Sequence, residues 1–224
     1  MSLAGPTHGF SLRAFAGRFP TIQERCYVAC KLATDPLYPA VYAALRETAE
    51  PLLDVGCGMG LLAFYLRQRG WQAAITGVDF DQRKIATAEQ LAGGFGPDLT
   101  FFQRDAAVAL PDHRGSVTVL DVLQYFPTAS RDAMLRKCAA RVSPSGLLVI
   151  RTGIADGSLR YRLTHGMDRV ATWLKWMKTP PIEFPRREEL LGLLGEEGLI
   201  GNFAPLWGRT PFNNWLGVFR RSVD

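Results

Sequence analysis

Seven consecutive residues, Asp54-Val55-Gly56-Cys57-Gly58-Met59-Gly60, place three alternating glycines behind a carboxylate. Such glycines let the backbone turn tightly and approach a ligand with no Cβ in the way. The loop follows a short apolar run, 51–56, that reads as a buried strand, and precedes 60–70, which reads as a helix closed by Gly70. A loop in that position aims the free N–H groups of the helix start at whatever it holds. Three more acids follow at the ends of apolar runs. Asp79 lies 23 residues beyond Gly56, where a carboxylate can accept hydrogen bonds from both ribose hydroxyls of a nucleoside. Asp105 is placed to accept from the amino group of an adenine. Asp121, with Gln124 and Tyr125 behind it, stands where the reacting end of such a ligand would point.

These residues need a scaffold that brings strand ends together. Apolar runs at 51–56, 73–80, 98–105, 116–123 and 145–152 predict five strands. Helical patterns at 60–70, 81–93 and 129–142 alternate with them, which implies a parallel sheet wound by right-handed crossovers. A late helix over 185–198 is followed by strands over 199–207 and 213–221. The link between those two is too short for a helical crossover, so they pair antiparallel. The expected fold is therefore α/β, a doubly wound, mostly parallel seven-stranded sheet with an antiparallel last strand. Residues 10–48 read as a helical extension interrupted at Pro20 and Pro36, with Asp35 as the N-cap and Pro36 as the first residue of its last helix. The 224 residues form one domain: extension 1–48, core 51–152, a cap insertion over 153–184, and the last helix and strand pair over 185–224.

Charge and cysteine usage narrow the class. The chain carries 26 Lys+Arg against 21 Asp+Glu, and the whole excess of +5 falls in 151–187. A single basic segment argues against a general nucleic-acid-binding surface. Within it, Leu159, Leu163, Met167, Val170, Leu174 and Met177 form an apolar helical stripe, and Arg160, Arg162, Arg169, Lys175 and Lys178 lie outside it. Three readings follow: a packed helix with a solvated basic face, a cap over an acidic or amphiphilic ligand, or a helix at a membrane surface. No apolar run is long enough to span a bilayer, and the start of the chain lacks the apolar core of a secretion signal. Cys26, Cys30, Cys57 and Cys138 form no CxxC pair or disulfide framework, so a reduced, cytoplasmic protein with its thiols in the core is expected, without a metal site.

The segments LLDVGCGMG, GVDF, QRDAA, VLDVLQYFP and SPSGLLVI together resemble the successive motifs of class I S-adenosylmethionine-dependent methyltransferases. The resemblance implies that Asp54, Gly56, Cys57, Gly58 and Gly60 hold the methionine moiety, Asp79 the ribose, and Asp105 with Ala106 the adenine, on which Phe80 packs. Asp121 would adjoin the methionine end and, with Gln124 and Tyr125, form the wall facing the methyl acceptor, where Asp121 or Tyr125 could take a proton. S-adenosylhomocysteine would be the product, and the acceptor a small or carrier-bound molecule. Strand four is not followed by the [N/D]-P-P-Y or Pro-Cys patterns of nucleic-acid methylation. Two alternatives stand beside this reading. Gly58-x-Gly60-x-x-Ala63 matches the dinucleotide pattern of nicotinamide enzymes, although Asp54 is a poor neighbour for a pyrophosphate. A regulatory module could also hold the cofactor without turnover.

Overall fold

The computed structural model describes residues 11–161, 182–208 and 210–222. Three helices open the described chain: α1 (Leu12–Ala16), α2 (Ile22–Thr34) and α3 (Leu37–Leu45). A capping box starts α2, with the Thr21 hydroxyl accepting from Glu24 N and the Glu24 carboxylate accepting from Thr21 N. The α3 start lies one residue later than the Pro36 signal implies. Pro36 is itself the N-cap, and Asp35 Oδ1 still accepts from Leu37 N at 3.0 Å.

The core then runs β1 (Leu52–Val55), α4 (Leu61–Gln68), β2 (Ile75–Asp79), α5 (Gln82–Ala92), β3 (Leu99–Gln103), β4 (Ser116–Leu120), α6 (Thr128–Ala139) and β5 (Leu147–Gly153). It closes with α7 (Arg187–Glu196), β6 (Leu199–Pro205) and β7 (Asn214–Arg221). The strands form one sheet in the order β3-β2-β1-β4-β5-β7-β6. Every pairing is parallel except those of β7, which runs antiparallel to both β5 and β6. This is the doubly wound architecture expected from the strand and helix pattern. Between β1 and β4 the order reverses direction, and open α/β sheets bind ligands in the crevice at such a point.

Strand alternation divides the core into two layers. Leu52, Ile75, Phe101 and Val149 face α1 to α5 and pack against Phe15, Phe19, Val41, Leu45 and Phe64. Leu53, Val55, Val78, Val117, Val119, Leu148 and Ile150 face α6 and α7 and meet Met134, Leu135, Leu190 and Leu194. The parity that sends Leu52 to the first layer also sends Asp54 there, opposite Gly77 on β2 and Thr118 on β4.

One expectation needs correction. Cys26 and Cys30 are exposed thiols on α2, whereas Cys57 and Cys138 are buried. In this 13-residue helix only Val28 is fully buried, so most of its surface faces solvent. Of the segment read as a cap, 162–181, with Arg162, Arg169, Lys175 and Lys178, lies outside the described residues. Arg160 is described, and it is committed to the protein: its guanidinium donates to Thr210 O at 2.7 Å and lies 4.6 Å from the centre of the Trp207 ring.

Candidate active site

The three loop glycines follow β1 and all have positive φ, +76° at Gly56, +56° at Gly58 and +76° at Gly60, but for different reasons. A Cβ on Gly56 would meet Val122 Cγ2 at 2.3 Å, and one on Gly60 would meet Phe101 and Phe64 at 2.9 and 3.0 Å. Those two glycines let the loop pack against the protein. A Cβ on Gly58 would meet nothing within 4 Å, so its bare backbone faces the open side of the loop. Backbone bonds hold the turn, Gly56 N and Cys57 N both donating to Val78 O. Cys57 is buried in the loop, and burial pushes its thiol well above the ordinary range, so it fills space and is no nucleophile.

Asp79, at the end of β2, is 6% exposed. One carboxylate oxygen accepts from Gly58 N and the other from Asp81 N, both at 2.9 Å, so this acid pins the glycine loop to β2. Asp81, and not Asp79, caps α5. Each Asp79 oxygen retains acceptor capacity beyond its one backbone bond. Asp105 lies two residues beyond the end of β3, exposed, with Oδ1 accepting from Ala107 N; Ala106 beside it is buried. Phe80 is 64% exposed at the β2 end, an unusual position for a large apolar ring and one open to a flat ligand.

Asp54 sits beneath this loop, 3% exposed, with Oδ1 accepting from the Thr118 hydroxyl at 2.7 Å. Burial raises its pKa to about 7; Thr118 opposes the rise and Asp79 adds to it. An acid whose folded pKa lies above its unfolded value of about 3.9 favours the fold while protonated. Its contribution is full below that unfolded value and is lost as pH climbs toward 7, by up to about 1.4 kcal/mol per unit. Asp54→Asn keeps the shape and removes the titration. Urea unfolding of the ligand-free proteins is therefore expected to give the variant the higher midpoint at pH 8, with the difference shrinking toward pH 5. Equal midpoints at pH 8 would mean that water reaches this carboxylate.

The β4 end differs most from expectation. The strand stops at Leu120, and Asp121 adopts φ +58°, a conformation uncommon for a residue other than glycine. Its Oδ2 accepts from Arg151 Nη1 and from Lys31 Nζ, the latter at 3.1 Å. Asp35 completes a quartet, with Oδ2 at 3.0 Å from both Lys31 Nζ and Arg151 Nη1. Burial pushes the Asp121 carboxyl up, but Arg151 and Lys31 outweigh that and hold it below the usual carboxylate range. An acid held ionised this firmly is a poor proton acceptor, so the role of base suggested for Asp121 is not one its surroundings favour. Gln124 donates from Nε2 to Asp121 O at 3.1 Å, and its backbone carbonyl accepts from Ile182 N at 2.7 Å. Tyr125 is half-buried one residue further on.

Sequence reasoning missed Lys31, Asp35 and Arg151 as members of the site. Two signals were available: an arginine inside the apolar strand LLVIRT needs a buried counter-charge, and Lys31 precedes Asp35 by the four residues that make a helical ion pair. Nothing local pointed to Asp121 as their meeting place. Among the described residues, no group of three or more His, Cys, Asp or Glu residues could hold a metal ion.

Glycine loop, strand-end acids and sheet order define a class I methyltransferase fold. Residues 52–146 match the family model described as a methyltransferase domain. Ubiquinone biosynthesis O-methyltransferase of Pseudomonas entomophila is 34% identical over 106 residues, a match covering 46% of this chain and 44% of that protein. The Vibrio campbellii protein of the same name is 33% identical over a similar stretch. The chain thus matches less than half the length of these curated relatives. Among solved structures, magnesium protoporphyrin IX methyltransferase from Synechocystis PCC 6803, with bound S-adenosylhomocysteine, superposes with a TM-score of 0.68 at 19% identity, covering 96% of this chain and 91% of that one. Mitomycin 7-O-methyltransferase gives the same TM-score and identity, covering 96% and 62%. At such identities these structures show the shared fold.

Proposed function

We propose that this protein is an S-adenosylmethionine-dependent O-methyltransferase acting on a small molecule. The observation that carries the reading is the open backbone at Gly58, bonded to the buried carboxylate of Asp79 at the point where the sheet order reverses. The cofactor supplies an activated methyl on a sulfonium, so the chain's task is positioning. Gly56, Gly58, Gly60, Cys57 and Asp54 would hold the methionine end, Asp79 the ribose, and Phe80, Asp105 and Ala106 the adenine. Asp121, Gln124 and Tyr125 would face the acceptor. A hydroxyl acceptor is supported by the O-methyltransferase relatives.

An acidic or amphiphilic acceptor, including one on a carrier, was read from the basic segment. Of its described members, Arg151, Arg160 and Arg187 bond to protein partners and Arg186 is exposed; Arg162, Arg169, Lys175 and Lys178 lie outside the described residues. The free exposed thiols of Cys26 and Cys30 support a reducing, cytoplasmic setting. Among the described residues, no helix is long and apolar enough to cross a membrane.

Calorimetric titration tests the cofactor assignment. S-adenosylhomocysteine is expected to bind with a Kd of order micromolar and NAD to give no heat. Asp79→Ala is expected to lose more affinity than Asp105→Ala. It forfeits two ribose bonds, each worth about 1.5–3 kcal/mol, and also frees the glycine loop. Tight NAD binding with no response to S-adenosylhomocysteine would return the site to the nicotinamide alternative. Binding without transfer of labelled methyl into any fraction of a cell extract would favour the regulatory module.

A further inference from the structure

The quartet linking α2 to the β4 and β5 ends has a hydrogen-bonding capacity that the protein leaves partly unused. Asp35 is spent: Oδ1 accepts from Leu37 N and Arg151 Nη2, and Oδ2 faces Lys31 and Arg151. Its side chain is 6% exposed and that of Arg151 2%. Lys31 and Asp121 are the accessible pair, at 22% and 30%. Asp121 directs only Oδ2 at the two cations, and Oδ1 has no partner among the described residues. Lys31 gives two of its three N–H donors to Asp35 and Asp121. One charged acceptor and one charged donor therefore remain side by side.

Their place is next to the glycine loop. Val122, the neighbour of Asp121, lies where a Cβ on Gly56 would collide with it. Asp121 is also held in a left-handed backbone conformation, the kind of strain that the surrounding bonds must sustain. The two cations and two carboxylates sum to no net charge. A carboxylate or phosphate approaching Lys31 would meet the free oxygen of Asp121, whereas a neutral hydroxyl satisfies both groups, donating to one and accepting from the other.

We infer that Lys31 Nζ and Asp121 Oδ1 together form the recognition point for the acceptor, and that they select a neutral hydroxyl group over an acid at the reacting position. This rests on the methyltransferase reading. Asp121 and Lys31 act here by binding and orienting the hydroxyl. Any acidic group on the acceptor belongs at a distance from this end.

The test is calorimetry on the protein saturated with S-adenosylhomocysteine, using 4-propylphenol and 4-propylbenzoate as probes. The phenol is expected to bind the unaltered protein about tenfold or more tighter than the benzoate, the effect of one charge-assisted hydrogen bond against one repulsion. Lys31→Met should weaken the phenol about tenfold. Asp121→Asn should weaken the phenol and strengthen the benzoate, so that the preference narrows or inverts. A purely structural quartet would lower both affinities together, a pattern that overturns the inference. So would a benzoate preference in the unaltered protein, unchanged phenol binding in Lys31→Met, or no phenol binding at all. Should Asp121→Asn fail to fold, Lys31→Met with both probes carries the decision, since Lys31 is partly exposed on a helix that keeps its capping box. Failure of S-adenosylhomocysteine to bind in the first step overturns the methyltransferase reading itself; its binding with indifferent probe selectivity overturns only the hydroxyl recognition.

Discussion

Gly58→Val is expected to lower affinity for S-adenosylhomocysteine by at least about a hundredfold while leaving a folded protein, because its Cβ would enter the space we propose for the ligand. A side chain there meets no protein atom within 4 Å, so the cost to the fold is confined to the φ of +56°. That conformation costs an L residue about 1–2 kcal/mol, and somewhat more for a β-branched one. Gly56→Val should behave differently. Its Cβ collides with Val122 at 2.3 Å, so it should lose stability as well as binding. Calorimetric titration beside thermal unfolding separates the two. If Gly58→Val binds the ligand as the unaltered protein does, the methionine end lies elsewhere.

Arg151→Met is expected to produce the largest loss of stability, about 3–5 kcal/mol, the usual consequence of removing one partner of a buried ion pair. The arginine is 2% exposed and bridges Asp35 and Asp121, carboxylates from segments 86 residues apart. Methionine fills similar volume, so the loss comes from charge and not from a cavity. Lys31 alone would then face two carboxylates. Adding Asp121→Asn to Arg151→Met should recover part of the stability by removing one unpaired charge. Urea unfolding reads all three proteins. A loss below about 1 kcal/mol would mean that solvent screens the quartet as it does a surface pair.

The glycine loop and the acids of β1 and β2 were legible because each is a local signal at the end of an apolar run. The sheet class was legible for the same reason. Asp105 was read correctly as an acid near a strand end, although β3 stops two residues earlier, because strand ends carry weak signals. The roles of the three glycines could not be separated in the sequence, since the difference depends on Val122, Phe101 and Phe64, which are distant in the chain or folded back onto it.

The cysteine pair on α2 shows the limit most plainly. A spacing of four residues puts Cys26 and Cys30 on one helix face, but only packing decides whether that face is inside, and here it is outside. Arg151 is the converse case, a residue counted in the charge of the basic segment that lies buried between two carboxylates. Periodicity, caps and glycine loops are properties of neighbouring residues, so the sequence by itself determined the elements, their parallel winding and the acids at the strand ends. Charge partners are properties of the sheet order. Lys31, Asp35, Asp121 and Arg151 meet because β4 lies beside β5 and α2 crosses their ends, and only the tertiary structure decided that.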